Sequence, residues 1–171
     1  AYGIIVSTGA NVDLKDDLSD VGKNLKVTVK GKEEASAIRA QYGSDINVSA
    51  NTDVDIVATS ESGKAYGVVN SYLTYDSVNY AKAKANISIL GNVNIEANGK
   101  TGSYAVYNST DYNKEDAGDV GNTIIGEEGK KVTITGDMYA NSGSITTTFG
   151  AEGSKFDGKV ETVEKGTTTL N

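Results

Sequence analysis

Short runs in which polar and apolar residues alternate strictly recur along this chain and are its strongest signal. Residues 45–50 read DINVSA and 53–58 read DVDIVA. The same alternation returns as NISIL at 86–90, NVNIEA at 92–97, NTII at 122–125 and KVTIT at 131–135. Side chains on a strand point alternately to opposite faces, so each run predicts a short strand with one buried face. Gly-Asn and Asn-Thr steps between the runs predict tight turns.

A strand of another kind precedes each pair of runs. GKAYGVVN at 63–70 aligns with TGSYAVYN at 101–108 and with AYGIIV at 1–6. SAIRA at 36–40 and DMYANS at 137–142 are weaker copies. This alignment puts anchor positions at residues 2, 38, 66, 104 and 139, the last to within two or three residues. One unit is therefore three short strands and three turns, and the pattern returns only after a full unit. Such recurrence predicts an all-β solenoid, a parallel β-helix of about five coils, in which each strand pairs with its equivalent about 4.8 Å away. The inward ladders should run Ile46/Ile87, Val48/Ile89, Val54/Val93 and Ile56/Ile95, continuing to Val132 and Ile134. An antiparallel β-sandwich is the competing fold. Residues 32–42 (KEEASAIRAQY) have helical propensity, but their place in the repeat requires a strand; residues 15–25 have room for a helical turn.

Two turns are swollen, at 71–85 (SYLTYDSVNYAKAKA) and 109–121 (STDYNKEDAGDVG). Both leave after an anchor strand, so they should lie side by side on one flank. Lengthening a surface turn costs little, and function concentrates in such turns. Tyr72, Tyr75, Tyr80, Tyr107 and Tyr112 gather at this corner, half of the chain's ten tyrosines. They are the candidate binding residues, as an aromatic patch for a glycan or protein partner. The alternative is that the rings only cover the flank of a slender rod. Asn70 and Asn108 end equivalent strands and are expected to form a structural side-chain ladder. Arg39, the only arginine, reads as an outward surface residue.

Composition narrows the chemistry. There is no His and no Cys, which excludes Ser-His-Asp and Cys-His nucleophile systems and imidazole- or thiolate-ligated metals. A net charge of −7 with a single arginine argues against a nucleic-acid binder. No apolar run approaches the ~20 residues of a membrane-crossing helix. There is no EF-hand loop, calcium-roll repeat or phosphate-cradling loop, so no metal and no cofactor is expected. Polysaccharide cleavage would need paired carboxylates across a groove. Asp53 and Asp55 share one strand face, and Asp16, Asp17 and Asp20 cluster in a loop, but such spacings are common by chance in a chain with 23 acids. No catalytic residue is assigned and the chain is not expected to be an enzyme. Gly, Asn, Ser and Thr supply 67 of the 171 residues, which suits turns and solvated outward rows. The lack of proline suits dense strand ladders. The lack of cysteine fits the cytosol, and equally a surface protein exported unfolded.

The C-terminal part carries a resemblance. VTITGDMYANSGS at 132–144, SKFDGKVET at 154–162 and GTTTLN at 166–171 resemble the passenger domains of Gram-negative autotransporters, the type V secretion family. Those domains run strand, G-D-x-x-A-x-x-G-S/G, S-x-F-x-G-x-V, then G-T-T-x-L. The resemblance covers about 40 residues and marks a β-helix stem without identifying a ligand. It implies a right-handed parallel β-helix, with residues 1–171 an internal segment of a larger surface protein. It also implies localisation at the bacterial cell surface or in the medium, reached through the outer membrane. The start at Ala1 reads the same way. The expected function is a structural or adhesive rod that mediates cell adhesion or self-association, as in biofilms. Its partners would be a host or bacterial surface protein, a glycan, or another copy. Two alternatives stand: a carbohydrate-active β-helix that binds or cleaves polysaccharide, and an inert stalk for a function elsewhere in the full chain.

Overall fold

Among the described residues strand follows strand, yet no strand pairs with the next. The computed structural model describes residues 1–7, 9–14, 23–41, 43–72, 84–110, 120–163 and 165–171. Its strands, numbered in chain order, distribute over three sheets. The first holds β1 (Tyr2–Val6), β4 (Glu34–Gln41), β7 (Lys64–Tyr72), β10 (Gly102–Thr110), β13 (Asp137–Ala140) and β16 (Val160–Thr162). The second holds β2 (Asn11–Leu14), β5 (Asp45–Val48), β8 (Asn86–Ile89), β11 (Asn122–Ile125), β14 (Ser144–Thr147) and β17 (Thr167–Leu170). The third holds β3 (Lys23–Gly31), β6 (Thr52–Ser60), β9 (Val93–Gly99), β12 (Val132–Thr135) and β15 (Lys155–Asp157). Every third strand returns to the same sheet, and each pairing is parallel. This is a parallel β-helix: five complete coils and the first two strands of another. Among the described residues no element is a helix.

Stacking puts like side chains over one another. Ile46 pairs with Ile87 and Val48 with Ile89. Val54 pairs with Val93 and then Val132, and Ile56 with Ile95 and then Ile134. These residues are buried in one continuous core. The interior is narrow, so small β-branched side chains fill it from three sides. In the last rungs Val160 lies under Met138 and Leu170 under Thr147; both stay exposed because a rung neighbours each on one side only.

Within the helix-prone segment 32–42, Glu34–Gln41 form β4, because the hydrogen bonds of β1 and β7 on either side outweigh local propensity. Residues 15–22 lie outside the described residues, and Lys23–Leu25 enter strand β3. The anchor register differs from expectation: Tyr2 pairs with Ser36 rather than Ile38, and Ser36 with Tyr66. The cause is a break in alternation. Ala37 and Ile38 are consecutive, yet both belong to the core. Gly67 takes the equivalent place in β7. A Cβ there would lie 2.5 Å from Ile95 Cγ2 and 2.6 Å from the Ala105 carbonyl oxygen, so the backbones approach closely only because it is glycine. The corner between β12 and β13 is a single residue, Gly136, with φ of 120°, a left-handed value that glycine adopts without strain.

Strands β7 and β10 end as register partners, Tyr72 opposite Thr110, at the corner from first sheet to second. The two swollen turns begin there, and residues 73–83 and 111–119 lie outside the described residues. The inside of this corner is polar and sealed. Asn70 and Asn108 are register partners and fully buried. No hydrogen bond joins the two amides. Each reaches instead to main chain across the corner: Asn70 Nδ2 donates to the Ala85 carbonyl at 2.8 Å, and Asn108 Nδ2 to that of Ser144 at 2.9 Å. Thr123 Oγ1 donates to Asn108 Oδ1 at 2.7 Å. The cluster ties the first sheet to the second at the corner beyond β7 and β10.

Thr123 is fully buried, and valine has nearly its shape. Thr123→Val leaves Asn108 Oδ1 without its donor and should cost about 1–3 kcal/mol in urea unfolding. Thr146→Val, on an outward position of the adjacent strand β14, should change stability by less than about 0.5 kcal/mol. Equal effects would contradict the role given to this corner.

Candidate functional site

The outward side of the first sheet is aromatic at its centre. In β7 and β10 the residues on either side of the inward kink point out, which places Tyr66 next to Tyr104 in register. Their rings stack at 5.4 Å with planes 15° apart. One rung on, a bulge between Tyr104 and Val106 shifts the register, so Tyr139 faces Tyr107 instead of Tyr104. Those rings stack at 5.0 Å and 16°. The two stacks meet edge to face, with Tyr107 at 5.1 Å from both Tyr66 and Tyr104. Offset stacks joined by edge contacts are the favourable arrangement for ring quadrupoles.

Charges frame the cluster. Lys64 Nζ lies 5.7 Å from the Tyr104 ring centroid, and Arg39 lies 5.3 Å from that of Tyr2. Arg39 also meets Glu34 at 3.4 Å. Its side chain is only 13% exposed, so the surface residue expected at this position is in fact largely covered. Tyr66 is nearly buried. Burial, followed by the nearby Tyr107 and Glu34, raises its hydroxyl pKa, so it stays neutral at any ordinary pH. Tyr104, Tyr107 and Tyr139 are half-buried and present ring edges and faces outward.

Of the tyrosines expected at the corner, Tyr107 belongs to this cluster. Tyr75, Tyr80 and Tyr112 lie outside the described residues, and only the main chain of Tyr72 is described, at the end of β7. Asn70 and Asn108 lie in the core, behind the aromatic surface. Sequence reasoning passed over Tyr66, Tyr104 and Tyr139 as a surface, although all three mark the repeat. Their recurrence at equivalent positions was the available signal.

A second feature lies on the outside of the third sheet. A shallow trough of about 630 Å³ crosses β3, β6, β9 and β12. Asp53 and Asp55 sit on its floor, each bonded to an asparagine one rung on. Asn92 Nδ2 donates to Asp53 Oδ1 and Asn94 Nδ2 to Asp55 Oδ1, both at 2.8 Å. Lys26 Nζ meets Asp55 Oδ2 at 3.1 Å, and the Lys131 amide donates to Asn92 Oδ1 at 2.9 Å. The Asn94 hydrogen bond, followed by that from Lys26, holds the Asp55 carboxyl below its ordinary pKa, against a smaller opposing effect of burial. Both carboxylates are thus fixed by amides within one trough; they do not face each other across a gap. Among the described residues no group of three or more acidic side chains converges to hold a metal ion.

Compared with known proteins, the chain matches no family, no curated sequence and no solved structure.

A carboxylate whose pKa is lowered by folding stabilises the fold above its unfolded pKa, and that contribution is lost as pH falls through the folded value. For Asp55 the loss begins below its ordinary 3.8 and runs into stronger acid. Asn94→Ala should move the Asp55 titration, followed by carboxyl NMR, up towards 3.8. An unmoved midpoint would show that the amide does not hold the charge.

Proposed function

We propose that this chain is a contact-making rod of the autotransporter-passenger kind, displayed on or released from a bacterial surface. In this reading it acts by adhesion or self-association, with no covalent chemistry. The observation that carries the proposal is the four-tyrosine cluster on the first sheet. Tyrosine supplies large contact area with few rotatable bonds, and here stacking already fixes the rings. Aromatic residues in such preset positions are the commonest hot spots of protein contacts. The parallel ladder beneath adds rigidity, since each interior rung is bonded to the rungs on both sides. Outward Asn, Ser and Thr rows offer hydrogen-bond donors and acceptors around the aromatic centre.

Surface export and the identity of the partner rest on the sequence resemblance, supported by the coil architecture. The chain's net charge of −7 works against approach to bare negative surfaces at low salt, so short-range contacts have to supply the affinity.

Sedimentation of the purified chain over a concentration series, with binding of the labelled chain to bacterial and epithelial cells, tests the proposal. Tyr104→Ala combined with Tyr107→Ala should weaken whichever association is seen by tenfold or more, while circular dichroism stays that of the parent. Undiminished association by the folded variant contradicts the tyrosine face as the contact. No association of the parent in any arm contradicts the adhesive rod and favours a passive stalk.

A further inference from the structure

The trough on the third sheet lies on a different side of the coil from the tyrosine cluster and has its own chemistry. From the Lys26–Asp55–Asn94 row and its neighbour Asp53–Asn92, we infer that this trough is a binding site for a neutral, extended polysaccharide lying along the rod axis. The inference goes beyond the adhesive surface proposed above and stands without it.

Charge comes first. Asp53 and Asp55 are matched in the lining by Lys26 and Lys131, so the trough is balanced although the whole chain is at −7. A polyanion meets the carboxylates there and a polycation meets the ammonium groups, whereas an uncharged ligand meets neither penalty.

Hydrogen-bonding capacity comes second. Each asparagine amide has two N–H groups, of which one is given to its aspartate. The remaining N–H sits beside a carboxylate oxygen, so each of the two axial rows offers a fixed donor on one rung and an acceptor on the rung before it. A sugar hydroxyl both donates and accepts, and a pair of adjacent hydroxyls matches such a row. The amides are already held by their carboxylates, so little side-chain freedom is lost on binding.

Spacing comes third. Rungs repeat at about 4.8 Å along the axis, close to the length of one pyranose ring in an extended chain. The four strands under the trough span about 14 Å, enough for about three sugar units. A protein partner fits less well. The only apolar residues in the lining are Val54 and Val93, which belong to the buried ladder and offer no anchor.

Affinity electrophoresis and calorimetry test the site. The probes are soluble mannan, laminarin, xylan and β-1,4-glucan oligosaccharides as neutral ligands, with alginate and dextran sulfate as polyanions. The parent chain should be retarded by at least one neutral polymer and by neither polyanion. Asn92→Ala with Asn94→Ala should lower that affinity tenfold or more, whereas Tyr104→Ala with Tyr107→Ala should leave it unchanged. This last contrast separates the site from the tyrosine face, so either proposal can fail alone. No retardation by any neutral probe, stronger retardation by a polyanion, or loss on the tyrosine substitutions with none on the asparagine ones would each overturn the inference.

Discussion

Every described strand finds its main-chain ladder partners a full turn away in sequence, not in the strand beside it along the chain. That constraint governs the rest. Parallel pairing at about 4.8 Å forces each residue to lie over its counterpart in the next coil. A position facing in must be apolar in successive coils, as along Ile56, Ile95 and Ile134. Polar residues enter the interior where the corner offers them partners. Asn70 Nδ2 and Asn108 Nδ2 bond to main chain and Thr123 to Asn108 across a single corner, while Asn70 Oδ1 stays without a hydrogen-bond partner.

The same constraint builds the outer surface. Stacking does not distinguish inside from outside, so outward residues form ladders too. On the first sheet it brings Tyr66 against Tyr104, and a bulge one rung later brings Tyr139 against Tyr107. On the third sheet it brings Asp53 against Asn92 and Asp55 against Asn94, pairs 39 residues apart in sequence. An aromatic face and a polar trough thus arise on different sides of one rod, from one pairing rule. Their chemistry differs, the first face being aromatic, the second lined by paired aspartates, asparagines and lysines.

Much of the fold was legible because alternation and recurrence are both written in the residue pattern. The paired runs from Asp45 to Ala58 and from Asn86 to Ala97 became β5, β6, β8 and β9 in the expected register. The repeat also overrode local helix propensity at Glu34–Gln41, where only long-range pairing decides. What was not legible depends on breaks in the period. Two consecutive inward residues, Ala37 and Ile38, displaced the second anchor, and the bulge after Tyr104 displaced the last. The tyrosine surface was not legible because Tyr66, Tyr104 and Tyr139 recur at the anchor positions and so read as markers of the repeat. The trough needed four strands from four coils in register, so Lys26 and Lys131 gave no sign of belonging with Asp53 and Asp55.

The central claim is coil-on-coil parallel pairing, and cross-strand nuclear Overhauser effects in a uniformly labelled chain test it most directly. The account predicts main-chain contacts from Asn47 to Ser88 and methyl contacts that run from Ile46 to Ile87 and on to Thr123. Main-chain contacts that instead join β5 to β6 in antiparallel order, with none between residues one coil apart, would contradict it.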